Sequence, residues 1–155
     1  MRFLNSLIFF FIFTSAHSQI DVQYFNESWT NRVDSALRLI NETDSSRYQF
    51  LEDNCNKIRF WIMDFSSVVE NGTILIPQGE LNYGTINSIA GVIVRESMRL
   101  NLCNNFIGMN EETEEVLCRV YELDFLFQIP NIEKDLIEES RDEISNLLVN
   151  KKPQE

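Results

Sequence analysis

Apolar residues recur at alternating intervals of three and four along most of this chain, and that spacing limits what it can fold into. The pattern is cleanest between positions 46 and 69, through Tyr48, Leu51, Cys55, Ile58, Ile62, Phe65 and Val69. Such spacing sets its members on one face of a helix and reads as the seam of a bundle. Phe50, Trp61 and Val68 make a second stripe beside it, so this helix is expected to touch more than one neighbour. Leu51, Ile58, Ile62 and Phe65 are its expected core residues.

The same period returns on either side. Behind Asn26 or Ser28 as cap, Trp29, Val33, Ala36, Leu37 and Ile40 form one stripe, and Asp44-Ser45-Ser46 closes that helix and caps the next. From about Thr85 to Asn104, Ile86, Ile89, Ala90, Ile93 and Leu100 share a face that Val94, Met98 and Leu102 widen; so apolar a helix is expected at the centre. Asn110 ahead of Glu111, Glu112, Glu114 and Glu115 joins an N-cap to carboxylates at the positive end of the helix dipole. The stripe that follows is Val116, Leu117, Val120, Leu123 and Phe127, and Pro130 stops it. A last helix, capped by Asn131, is expected to reach about Asn150 with Ile132, Leu136, Ile137, Ile144, Leu147 and Leu148 inward.

One stretch departs from the pattern. After the turn signal Asn71-Gly72, residues Thr73 to Tyr83 are β-branched and split by Pro77 and Gly79, and read as an extended crossover or short hairpin. The expected fold is therefore all-α, an antiparallel bundle of about five helices with that one crossover.

At the N-terminus Arg2, the apolar run Leu7 to Phe13 and the small-x-small triplet Ala16-His17-Ser18 read as a secretory signal peptide over residues 1–18. The run is shorter than the roughly 20 residues a membrane helix needs. Residues 19–155 are then expected to be a single secreted, extracellular domain whose polar tail frays from about 150. Cleavage removes the only histidine, His17, which excludes Ser-His-Asp and Cys-His catalysis and His-based zinc or haem sites. It also removes Arg2, so a net charge of −11 becomes −12. Charge of that sign repels phosphate backbones, and no nucleic-acid partner is expected. No later apolar run is long enough to span a membrane.

Three cysteines remain. In an oxidising compartment one bridge plus one thiol is the default. Cys103 closes the third long helix and Cys118 lies about two turns into the fourth, so a Cys103–Cys118 bridge is favoured, with Cys55 a buried free thiol and the chain a monomer. A disulfide-linked dimer is the alternative. Asn26-Glu27-Ser28, Asn41-Glu42-Thr43 and Asn71-Gly72-Thr73 are N-glycosylation acceptors at element ends, which makes Asn26, Asn41 and Asn71 the candidate glycan sites.

The acidic clusters 111–115 and 138–143 lack calcium-loop spacing and read as solvated helix charges. Asp124 reads the same way. No catalytic, cofactor-binding or metal-ligating residue is expected, and no cofactor. Surplus aromatics, among them Phe50, Phe60, Trp61, Phe65, Tyr83, Phe106, Phe125 and Phe127, either fill the core, line an apolar cavity or form a docking patch. The functional expectation is a non-enzymatic protein that binds a protein or receptor partner, as a signalling or effector molecule does. A carrier of a small apolar molecule is the alternative, and a small carboxylate-dependent hydrolase a remote third.

Overall fold

A computed structural model describes residues 20–149 apart from 24, 25 and 70. The signal-type segment 1–18 and the tail from 150 lie outside the described residues. Helix α1 (Glu27–Thr43) begins where its cap predicts, the Asn26 side chain accepting the Trp29 backbone N–H at 2.9 Å. Its stripe of Val33, Ala36, Leu37 and Ile40 is buried. Asp44 then closes α1 through its own N–H to the Ile40 carbonyl and caps α2 (Ser45–Asn54), its carboxylate accepting from the Ser46 and Arg47 N–H groups.

Beyond this point the bundle expectation fails. α2 stops at Asn54, whose Nδ2 donates to the Phe50 carbonyl, and Cys55 is already extended. Residues Lys57–Trp61 form strand β2, which lies in a four-stranded mixed sheet with β1 (Asp21–Gln23), β3 (Ser67–Val69) and β4 (Thr73–Pro77) in the order β1-β2-β4-β3. Pairing is parallel between β1 and β2 and between β2 and β4, and antiparallel between β3 and β4; Ile74 lies opposite both Ile58 and Val68. The protein is therefore not all-α, and its long second helix does not exist.

The physical reason is β4. All five of its residues are buried, and a buried strand must satisfy its N–H and C=O groups through neighbours on both edges, because no water reaches them. β2 and β3 supply those edges. Ile58 fits either period and is fully buried, but Ile62 and Phe65, past the end of β2, are 76% and 59% exposed. The turn into β4 runs through Asn71 and Gly72, both at φ 70°, where Asn and Gly are the least strained residues. A Cβ on Gly72 would also lie 2.9 Å from the Asn54 carbonyl oxygen.

Short α3 (Gln78–Tyr83) follows, then α4 (Ile86–Asn105), which Thr85 caps, and α5 (Glu111–Leu126), capped by Asn110 as expected. The last helix, α6 (Lys134–Val149), starts three residues after Asn131, which holds φ 58° in the preceding turn and is not its cap. α4 is the spine: Ile89 through Ser97 are buried, and it packs on α1, α5 and β4. Gly91 admits α5 closely, since a Cβ there would stand 3.1 Å from Glu122 Oε1 and 3.2 Å from Leu126 Cδ2. α5 is rotated from its expected facing. Cys118, Glu122, Phe125 and Leu126 are buried, while Leu117, Val120 and Phe127 are exposed.

The expected Cys103–Cys118 bridge is also overturned, for all three cysteines are thiols. Cys103 is exposed on the last turn of α4, whereas Cys118 is buried on the inner side of α5, so their sulfurs occupy different environments. Desolvation pushes the Cys118 thiol up to about 12 and the buried Cys55 thiol up to about 11. The changed placement of the seam is measurable. Ile58→Ala should cost about 2 to 5 kcal/mol in urea unfolding, and Ile62→Ala no more than about 0.5 kcal/mol; comparable losses would restore the helical seam.

Candidate functional site

Arg95 and Glu96 interrupt the most apolar helix of the chain, and both are buried. Isolated charges there would be costly to desolvate, so each must be paired. Arg95 Nε donates to Glu96 Oε1 at 3.0 Å and its Nη1 to Glu122 Oε2, on α5, at 3.2 Å. Its Nη2 donates to the hydroxyl of Ser66, just ahead of β3, and that hydroxyl donates in turn to Glu96 Oε1 at 2.6 Å. Glu96, whose side chain is 0% exposed, accepts from Arg99 through its other oxygen.

The network continues into α5 and α6. Arg99 pairs with Glu115 and, at 3.3 Å, with Glu114 in the first turns of α5. Arg119 Nε donates to Glu115 Oε1 at 2.9 Å, and its Nη1 reaches both Glu122 Oε2 at 3.2 Å and Glu143 Oε2 of α6 at 2.5 Å. One chain of charge-assisted contacts thus joins the β3 approach to three helices. Desolvation would raise the Glu96 carboxyl, but the Arg99 and Arg95 charges and the Ser66 hydrogen bond outweigh it and hold it below the ordinary range. Desolvation would likewise lower Arg95, yet Glu122 and Glu96 raise it.

Over this network opens a cavity of about 650 Å³. Nine carboxylates line it against three guanidiniums, Arg95, Arg99 and Arg119, and Val92, Pro77 and Leu136 supply apolar wall. Phe65, in the segment after β2, lines the cavity with the Trp61 ring set edge-on to it at 5.9 Å, and Ile62 and Met63 of the same segment are exposed.

Of the residues singled out in the sequence, Asn26 and Asn41 lie exposed at the two ends of α1, and Asn71 is exposed in the β3–β4 turn. Asn26 also spends its Oδ1 on the α1 cap. Glu114, Glu115, Glu139 and Glu143, read as solvated helix charges, line the cavity instead. Asp124 is largely exposed and pairs with Arg47. Sequence reasoning singles out none of Arg95, Glu96, Arg99, Arg119 and Glu122, although a charged pair inside an otherwise apolar helix is a usable signal. The surplus aromatics divide: Phe125 is buried, while Phe65, Tyr83, Phe106 and Phe127 are exposed.

Among the described residues no group of three or more His, Cys, Asp or Glu is arranged to hold a metal ion, and no helix is long and apolar enough to cross a membrane. The chain matches no protein-family profile, no curated protein and no solved structure.

The buried carboxylate makes stability pH-dependent in a fixed direction. A folded-state pKa held below the unfolded value of 4.5 contributes stability that is complete above 4.5 and is lost as pH falls through the lower folded value. Urea midpoints should therefore drop on acidification below 4.5. Glu96→Gln should cost about 3 to 5 kcal/mol at pH 7 and flatten that drop; an unchanged acid slope would show that Glu96 is not a charged member of the network.

Proposed function

We propose that this is a secreted, N-glycosylated, non-enzymatic binding protein that docks a protein partner, such as a receptor, through the rim and mouth of the acidic cavity. The observation that carries the reading is exposed Phe65, in one segment with exposed Ile62 and Met63, at the wall of a cavity with six more acidic than basic side chains. Apolar and aromatic anchors next to a polar rim are what protein interfaces use for affinity. Charge complementarity then defines the partner's surface as basic around an apolar centre. An apolar small molecule would have to strip water from these carboxylates, so the cavity lends the carrier reading little support. The hydrolase reading gains none, since the carboxylates deepest in the cavity are tied to guanidiniums.

Fluorescence anisotropy with a labelled peptide of alternating leucine and arginine tests the docking. The peptide should bind, lose affinity at high salt, and bind the Ile62→Ser/Phe65→Ser variant about tenfold more weakly or worse. Equal binding of a leucine–glutamate peptide, or an undiminished variant, would count against it. For the secreted part, protein made through a secretory pathway should shift on a gel after endoglycosidase treatment, through glycan on one or more of Asn26, Asn41 and Asn71; no shift would remove that part.

A further inference from the structure

A groove of about 310 Å³ opens where α1 meets the start of β1 and the first turn of α2. Ile20, Val22, Leu37 and half-buried Tyr48 give it apolar and aromatic wall. Asp34, Arg38 and Asn41 line it as well, and their spacing of four and three sets them along one face of α1. All three are exposed, and among the described residues none makes a side-chain hydrogen bond or an ion pair. A carboxylate acceptor, a guanidinium donor and a side-chain amide therefore stand open beside an apolar wall. The volume is at the lower end of the range of about 300 to 1,000 Å³ typical of sites for small organic ligands, which combine such a wall with a few polar groups.

Asn41 points to the occupant. It opens the acceptor triplet Asn41-Glu42-Thr43, so a sugar attached to it starts at the wall of the groove. Transfer from a lipid-diphosphate-linked oligosaccharide bonds Asn41 Nδ2 to the anomeric carbon of the first N-acetylglucosamine; Nδ2 gives up a proton and the lipid diphosphate leaves. Helical side chains tilt toward the N-terminus of their helix, so Asn41 leans toward Arg38, one turn back. Asn26 and Asn71 line neither this groove nor the acidic cavity. An N-acetylglucosamine ring has a face of C–H groups and an edge of hydroxyls and acetamide, which match the Tyr48 and Val22 wall and the polar α1 face. The tether decides the magnitude. A short flexible link presents its ligand at an effective concentration on the order of mM, so contacts too weak to hold a free sugar hold an attached one.

Resting on the N-glycosylated reading above, we infer that the groove is the seat of the first N-acetylglucosamine of a glycan on Asn41. Its C–H face lies on the Tyr48 ring and Val22, and the Arg38 guanidinium donates to its oxygens. Asp34 is about 10 Å along the helix from Asn41 at 1.5 Å per residue, within reach of the second sugar. The glycan thereby ties the end of α1 to β1 and α2.

The full chain, secreted with high-mannose glycans, supplies the test. Peptide mapping should find Asn41 occupied. After endoglycosidase trimming to one N-acetylglucosamine per site, nuclear Overhauser contacts should join protons of the Asn41 sugar to the Tyr48 ring and the Val22 methyls. Thr43→Ala removes the acceptor without altering a groove residue. It should lower the melting temperature of the secreted protein by about 4 °C and leave that of protein made without glycosylation unchanged. Arg38→Ala should likewise cost the glycosylated protein more than the unglycosylated one. An occupied Asn41 whose sugar lacks these contacts, or equal effects of Thr43→Ala in the two preparations, would overturn the seat and leave the glycosylation reading standing. A bare Asn41 beside an occupied Asn26 or Asn71 would do the same. Three bare asparagines would remove the glycosylation reading, and the seat with it.

Discussion

The enclosure of the middle of α4 is the constraint from which the other features of this protein follow. Nine consecutive residues, Ile89 to Ser97, are buried, so the helix must be covered on every side and not along one stripe. α1, α5 and the sheet through β4 provide that cover, and Gly91 lets α5 come close enough to complete it. Two of the nine are Arg95 and Glu96. Once the helix is enclosed, these two cannot reach water freely, and each has to find charged or hydrogen-bonding partners within the protein. Ser66, Arg99, Glu122 and, one step further, Glu115, Arg119 and Glu143 answer that need. Such a network stabilises little compared with an apolar core of equal volume. Its consequence is geometric: it fixes the rotation of α5 and α6 about the spine and leaves a charged cavity where apolar packing would have left none.

Much of the helical framework is legible in the sequence because it depends on local chemistry. Asn26, Asp44, Thr85 and Asn110 cap helices through their own side chains, and a cap needs no knowledge of the rest of the fold. The α1 stripe is buried as its spacing predicts. The sheet is not legible, for the opposite reason. Cys55, Ile58, Ile62 and Phe65 satisfy a helical period, and nothing within residues 46–69 announces that β4 requires a parallel partner. That demand comes from Thr73 to Pro77, and from β1 far upstream, so tertiary pairing overrides the local pattern. α5 illustrates a related failure. Its apolar residues define an amphipathic face, but Glu122 and Leu126 turn inward because α4 offers Arg95 and a gap at Gly91.

The candidate site is hidden by the same non-locality. Residues 66, 95, 99, 119, 122, 140 and 143 come from four separate segments, and no motif spacing connects them. Glutamates that read as helix-dipole and surface charges in sequence become cavity walls only when α5 and α6 fold back along α4. A cavity dominated by carboxylates, with an apolar tip beside it, suits recognition of a basic surface more than turnover of a substrate. The acceptor asparagines Asn26, Asn41 and Asn71 are exposed at the α1 ends and in the β3–β4 turn and are not among the residues that line the cavity.

Native-state hydrogen exchange tests the enclosure of α4 most directly. The backbone amides of Ile89 to Ser97, with those of Ile74 to Ile76 in β4, should exchange only through global unfolding, with a urea dependence equal to that of the whole transition, while amides of α6 open earlier and locally. Amides of Ile89 to Ser97 that exchanged as fast as those of α6 would contradict an enclosed spine, and the buried network and the cavity above it would then need a different physical origin.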